Sequence, residues 1–198
     1  MSNRLILALS GASGQIYGIR LLEMLQQAPE IETHVVISPS ARITITQETD
    51  YTLKQIEALA DVLYRPTDIG AAIASGSFQT IGMIVAPCSI KSLSAITHSY
   101  DADLLTRAAD VQLKEGRPLL LVVRETPLHL GHLRLMTQAT EQGCTIFPPA
   151  PAFYNRPQTL DDMVNATCGR ILARVGIPNQ YFEEWLGVRE RRPEFPAR

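Results

Sequence analysis

Short runs of β-favouring apolar residues alternate along this chain with stretches whose apolar positions recur every three or four residues. Residues 4–9 (RLILAL) read as a first strand, and 14–27 as a helix with Ile16, Ile19, Leu22 and Leu25 on one face. Residues 31–37 (IETHVVI) form the next strand and complete a βαβ unit. Helical patterns cover 40–49 and 53–60; the stretch beyond has no definite period until ASGSF at 74–78, which reads as a loop. TIGMIVAP at 80–87 predicts a central strand, followed by helices over LSAITHS and 103–115 and a buried strand at 118–123. Residues 130–142 are helical, TIFP at 145–148 is a short last strand, and 159–174 is a helix opened by Thr159, Asp161 and Asp162. This alternation predicts an α/β fold: a three-layer, doubly wound parallel sheet with helices on both faces. Residues 1–186 form one domain, and 187–198 a charged, proline-containing tail without a core pattern.

Composition narrows the class. A chain of 198 residues closes one core, and 45% hydrophobic residues with a net charge of −2 exclude a disordered chain or a nucleic-acid-binding surface. The N-terminal apolar run is too short to span a bilayer and leads into a glycine-rich turn, so the expectation is a cytoplasmic protein without a membrane span. Cys88, Cys144 and Cys168 are odd in number and widely spaced, which argues against a disulfide framework or a CxxC metal motif. They read as reduced core residues.

Chemistry gathers at strand ends. LLLVVRETP at 119–127 delivers Arg124 and Glu125 side by side where open α/β sheets place ligands, with Pro127 discouraging the strand from continuing. A permanent cation beside a proton carrier suits anion binding coupled to acid–base work; a solvated loop pair is the bland alternative. SGASG at 10–14 joins the first strand to the first helix, and its glycines let amide N–H groups face an anion such as one small phosphate. It lacks the full GxGxxG pattern and a Walker lysine, and a purely structural βα turn is the other reading. PCSIKSLSA at 87–95 repeats the arrangement, although Ser89 also suits a simple N-cap. Arg107 and Lys114 are seven residues apart, hence on one helix face, either as solvated surface or as an anion site completed by a neighbouring subunit. The stiff segment PPAPAFYNRPQTLDD at 148–162 restricts Phe153 and Tyr154, and Arg170 follows on the next helix. Its DDMVN run is not DDxxD, so Asp161 and Asp162 read as helix-start acids. His129 and His132 lack an evident third ligand, so no metal is expected, and no Ser-His-Asp order or nucleophile elbow points to hydrolysis.

Taken together, SGASGQIYGIRLL, ETD at 48–50, ASGSF, PCSIKSLSAI, LLTRAADVQLKEGRPLLLVVRETPLHLGHLRLM and PPAPAFYNRPQ strongly resemble the UbiX-type flavin prenyltransferases, in order from about residue 3 to Trp185. The resemblance implies a Rossmann-like flavoprotein fold that holds FMN. The implied reaction joins the dimethylallyl group of dimethylallyl phosphate to N5 and C6 of reduced flavin, giving prenylated FMN for UbiD-type decarboxylases. Carried over by residue, it implies FMN contacts at Gly11, Ala12, Ser13, Ser38, Ser89, Ile90, Lys91, Ser92 and Arg124. It implies prenyl-phosphate contacts at Tyr154 and Arg170, with Arg107 and Lys114 from an adjoining subunit of a dodecamer, and an aromatic at Trp185. Ser13, Glu48 and Glu125 are the implied catalytic group, the two acids for proton handling. Two departures are Ile69, where some relatives have tryptophan, and Pro39, where a lysine often stands; the first bears on how the allyl group is walled.

The physics fits that chemistry. A monophosphate is a poor leaving group from carbon, and Arg107, Lys114, Tyr154 and Arg170 supply donors for it without a metal. An allylic cation is quenched by water, so apolar walls matter as much as activation. Bonding at C6 leaves a ring proton to remove, a task for Glu125. The alternatives are an FMN-dependent decarboxylase of the phosphopantothenoylcysteine type and a non-catalytic flavin-binding subunit of an aromatic acid decarboxylase. The first carries a PASANT-like segment where this chain has PCSIKS, and the second leaves Glu48, Glu125 and the cations without a task.

Overall fold

A computed structural model describes residues 3–185 and Gly187. Six parallel strands form its sheet: β1 (Asn3–Leu9), β2 (Ile31–Ile37), β3 (Val62–Tyr64), β4 (Gly82–Cys88), β5 (Leu119–Val123) and β6 (Cys144–Ile146). Seven helices surround it: α1 (Gln15–Leu25), α2 (Pro39–Glu48), α3 (Leu53–Glu57), α4 (Ile90–Thr97), α5 (Leu104–Lys114), α6 (Leu130–Glu141) and α7 (Leu160–Arg174). The strand order β3-β2-β1-β4-β5-β6 is that of a doubly wound sheet whose order reverses between β1 and β4. The charged tail expected at 187–198 lies outside the described residues except for Gly187.

The alternation of side chains along each strand divides the interior into two cores. Leu5, Leu7 and Leu9 of β1 face α1 and α7, together with Ile84 and Ala86 of β4. Ile6 and Ala8, with Met83 and Val85, face α4, α5 and α6. Both faces of β1 are therefore dry, and its run of apolar residues reads as continuous rather than alternating. A one-residue slip would exchange the two sets of side chains, which makes the register specific.

The chief difference from the sequence expectation is β3, a three-residue edge strand within the stretch lacking a period. Its entry is set by side chains: Asp61 Oδ2 accepts from the backbone N–H of Thr33 at 2.7 Å and from its hydroxyl at 2.8 Å. Other boundaries shift slightly. Helix α1 ends at Leu25 instead of Gln27, and α3 stops at Glu57 rather than residue 60. Asp161 and Asp162 do mark the start of α7: Asp162 and Thr159 form a reciprocal capping box, while Asp161 accepts from Arg20 of α1 at 2.9 Å. The three cysteines are free and buried; burial pushes the Cys144 thiol to about 11 and Cys168 to about 12.

Helix α1 packs closely enough on the sheet to leave no room for a side chain at position 18. A Cβ on Gly18 would collide with the Ala86 carbonyl oxygen and sit 2.8 Å from Leu9 Cγ. The obstacle includes sheet backbone, which cannot rotate away. Gly18→Ala is expected to destabilise the fold by about 2 kcal/mol, the cost of overpacking, as measured by denaturant unfolding.

Candidate active site

The order reversal sends α1 to one face of the sheet and α4 to the other, opening a crevice beyond the carboxyl ends of β1 and β4. The turn 10–14 and the turn leading to Ser89 line it. Gly11 is required there by close approach: a Cβ on it would run into the side chain of Ser40 at the start of α2. Gly14 adopts φ +95°, which favours glycine, and caps α1 without a side-chain bond.

The start of α1 receives an internal anion. Glu48, the last residue of α2, accepts from the Gly14 N–H at 2.8 Å and the Gln15 N–H at 3.2 Å. The sequence reading places a phosphate at this helix start; in the structure those two amides belong to Glu48. Burial alone would raise this carboxyl. Hydrogen bonds from the Ser13 hydroxyl and the two amides, with the Arg124 charge nearby, prevail and hold it below its ordinary value. Ser13, Glu48 and Arg124 are thus brought together from the turn after β1, the end of α2 and the end of β5.

Serines start the other two helices. Ser38 Oγ accepts from the Ala41 N–H at 3.1 Å as the N-cap of α2. Ser89 Oγ accepts from the Ser92 N–H at 3.2 Å and caps α4, leaving Ile90 and Lys91 in its first turn. The structural role of Ser89 is therefore real: its cap takes the Ser92 N–H, and its own N–H is bonded to Ser10 Oγ at 2.7 Å. Arg124 follows β5, its N–H bonded to Cys88 O at 3.1 Å, and its charge also acts on the half-buried Tyr17. Glu125 is exposed and accepts from the Thr126 N–H at 2.9 Å, just before a cis Thr126–Pro127 bond.

Tyr154 and Arg170 both line a small hollow, with Phe147, Asn155, Thr167 and Phe182. The Tyr154 hydroxyl donates to Glu183 O at 3.3 Å, and its ring meets Trp185 edge-on at 5.3 Å. Asn155 Oδ1 is buried there without a hydrogen-bond partner. Arg107 and Lys114 are placed elsewhere, against the 74–78 loop. Arg107 donates to Ala74 O at 3.2 Å and pairs with Asp101 at 3.0 Å and Asp110 at 3.4 Å. Lys114 pairs with Glu115 at 2.5 Å, and Arg117 braces the same loop through the carbonyls of Gly76 and Phe78. His129 and His132 stack at 3.6 Å, and among the described residues no three metal-ligating side chains come together.

A family model described as Flavoprotein matches residues 1–171. Flavin prenyltransferase UbiX of Escherichia coli (strain K12) is 60% identical over 187 residues, covering 93% of this chain and 99% of that one. The chain belongs to the UbiX-type flavin prenyltransferases. Among solved structures, AnUbiX (PadA1) in complex with FMN and dimethylallyl pyrophosphate superposes with a TM-score of 0.92 at 43% identity, covering 96% of this chain and all of that one. A dodecameric FMN-dependent UbiX-like decarboxylase from Escherichia coli O157:H7 gives 0.91 at 46% identity, over 93% of this chain and 100% of the other. Members of this family thus share the whole fold, not only the turn motifs.

The sequence reading passed over Ser10, Gln15, Tyr17 and Asn155, whose side chains lie beneath or beside the crevice and hollow. Ser10 lies within the SGASG string itself, so its position was visible although its contacts were not.

Because Glu48 titrates below its ordinary value in the folded state, its stabilisation is complete above its unfolded value. It is lost as pH falls through the folded one. Unfolding wild type and Glu48→Gln side by side should show a constant stability gap near neutral pH that closes in acid below about 4.5, the ordinary value. A gap independent of pH would mean that the carboxyl is not held ionised by these donors.

Proposed function

We propose that this chain is a flavin prenyltransferase that joins the dimethylallyl group of a dimethylallyl phosphate ester to N5 and C6 of reduced FMN. The prenylated FMN serves UbiD-type decarboxylases. The 60% identity over nearly the whole of a flavin prenyltransferase carries this reading, supported by the convergence of Ser13, Glu48 and Arg124 at the switch point.

The donor set fits FMN. The turn Gly11, Ala12 and Ser13, the cap residue Ser38, the first turn Ser89, Ile90, Lys91 and Ser92, and the Arg124 guanidinium form a polar-to-cationic cradle suited to a phosphate and a polar ring edge. Bound reduced FMN supplies the two ring positions at which the dimethylallyl group is joined. Glu48, held ionised, keeps a negative charge at the base of the crevice and accepts hydrogen bonds without donating any. Glu125, exposed just after β5, is the residue to which we assign removal of the ring proton.

Tyr154 and Arg170 share the hollow that receives the prenyl phosphate, and Trp185 supports the Tyr154 ring. Arg107 and Lys114 act on the crevice of an adjoining subunit. The Lys114–Glu115 pair is exposed and therefore weak, so a phosphate displaces it at small cost, whereas Arg107 must exchange two partly buried carboxylates, Asp101 and Asp110. Leu128, Leu130 and Leu133 leave apolar surface exposed at the start of α6, consistent with assembly into a homo-oligomer of the dodecameric kind. Among the described residues no helix is long and apolar enough to cross a membrane, and we place the protein in the cytoplasm.

The deciding experiment is mass spectrometry of flavin extracted after anaerobic incubation with reduced FMN and dimethylallyl phosphate or pyrophosphate, beside a Glu125→Gln control. Wild type should yield FMN heavier by one C5H8 unit, and the control should retain flavin while losing at least about 100-fold in rate, the usual span for a general acid–base group. Unmodified FMN with both donors, binding being proven, would exclude the reaction. Mixing Arg107→Ala with Glu125→Gln subunits should restore part of the activity through sites built from one intact half of each. Absence of recovery despite proven subunit exchange would place the two residues in one subunit's site.

A further inference from the structure

Beneath the crevice lies a buried polar network centred on Ser10, which is 1% exposed. Its hydroxyl donates to Pro87 O at 2.8 Å and accepts from the Ser89 N–H at 2.7 Å, and its own N–H reaches Pro87 O at 3.2 Å. Thus one side chain on the turn after β1 satisfies both a carbonyl and an amide on the turn after β4. The network extends in both directions. Gln15, fully buried, donates both amide hydrogens at 2.7 Å, to Ser10 O and Ala12 O, while its backbone N–H holds Glu48. On the other side, Cys88 O accepts the Arg124 N–H. Only Gln15 Oε1 is left without a partner, so the amide is oriented by the two carbonyls it serves.

We propose that Ser10 is a positioning residue for the flavin, one that locks the 10–14 and 87–92 turns into a single preorganised unit. The inference rests on the flavin-binding reading above. It follows from the geometry of the two turns. The β1–β4 ladder pairs the two strands only as far as Ala8 and Val85, and beyond it the chains part toward opposite faces, so among the described residues the turns themselves are tied to each other only by the bonds of Ser10. A ligand that draws donors from both needs the distance between them set beforehand, because ordering it at binding would subtract from affinity. Ser10 sets it with two hydrogen bonds that neither helix cap provides. Replacing the hydroxyl takes away the partner of the partly buried Ser89 N–H, and the turn moves to satisfy it. Ser10 itself touches no reacting group; it acts through Ser89 to Ser92.

The test is FMN titration of the purified full-length protein, followed by quenching of flavin fluorescence. Ser10→Ala should weaken FMN binding about 10-fold, within the range for a buried hydrogen bond left unmade. In a Ser92→Ala background the same change should weaken it less than about 3-fold, since part of what Ser10 positions has already been removed. Equal factors in the two backgrounds would make Ser10 merely structural and overturn the proposal, as would unchanged affinity of Ser10→Ala. If the alanine variant does not fold, Ser10→Cys, close in volume but a poor hydrogen-bonding partner, takes its place in both backgrounds with the same criterion. Failure of wild type to bind FMN would overturn the flavin reading as well, which separates that failure from failure of the Ser10 assignment alone.

Discussion

The reversal of strand order between β1 and β4 governs the rest of this molecule. Chains leaving two adjacent parallel strands for opposite faces must part, and the gap between them cannot be filled by either helix. What lines such a gap is polar backbone at two helix starts, whose N–H groups need partners from outside their own helices; here Glu48 takes two of them at α1, and Ser10 and Ser89 take two at α4. The two dry cores hold the gap open from both sides. Leu5, Leu7 and Leu9 are pressed against α1 and α7, and Ile6 and Ala8 against the helices of the other face. Gly18 brings α1 down to the Ala86 carbonyl and so sets where its N-terminus ends.

Charge at this gap is arranged in two different ways. Glu48 is bound permanently, within hydrogen-bond distance of Gly14 and Gln15 and near Arg124, where ionisation is favoured. It neutralises one helix start with a group the chain itself supplies. The cations Arg107 and Lys114 stand apart from the gap beside the 74–78 loop, Arg107 held by Asp101, Asp110 and the Ala74 carbonyl and Lys114 by the exposed Glu115.

Much of the fold was legible because burial on both faces of the sheet imposes long apolar runs, and the helices between them carry a single periodic face. Strand β2 and helices α5 and α7 lie within a residue of the sequence expectation for that reason. Strand β3 was not legible. It is three residues long, pairs only with β2, and starts where Asp61 meets Thr33, 28 positions away. Candidate residues were legible as types at strand ends, since Arg124, Ser89 and Ser13 all follow apolar runs that stop. Their partners were not. Nothing near ETD at 48–50 announces that Glu48 binds an amide 34 residues earlier, and nothing in SGASG announces that Ser10 reaches Ser89.

The sequence by itself determined the layer architecture, the strand ends that bear chemistry, and the family, because these depend on local period and on strings of contiguous residues. The tertiary structure alone decided which strand ends are neighbours, that the first helix start is occupied by Glu48, and that Arg107 and Lys114 stand apart from the crevice. Those outcomes depend on strand order and on hydrogen bonds between distant segments. Such bonds have no local signature, since a serine or glutamate is suited to many partners and only the packed sheet selects one.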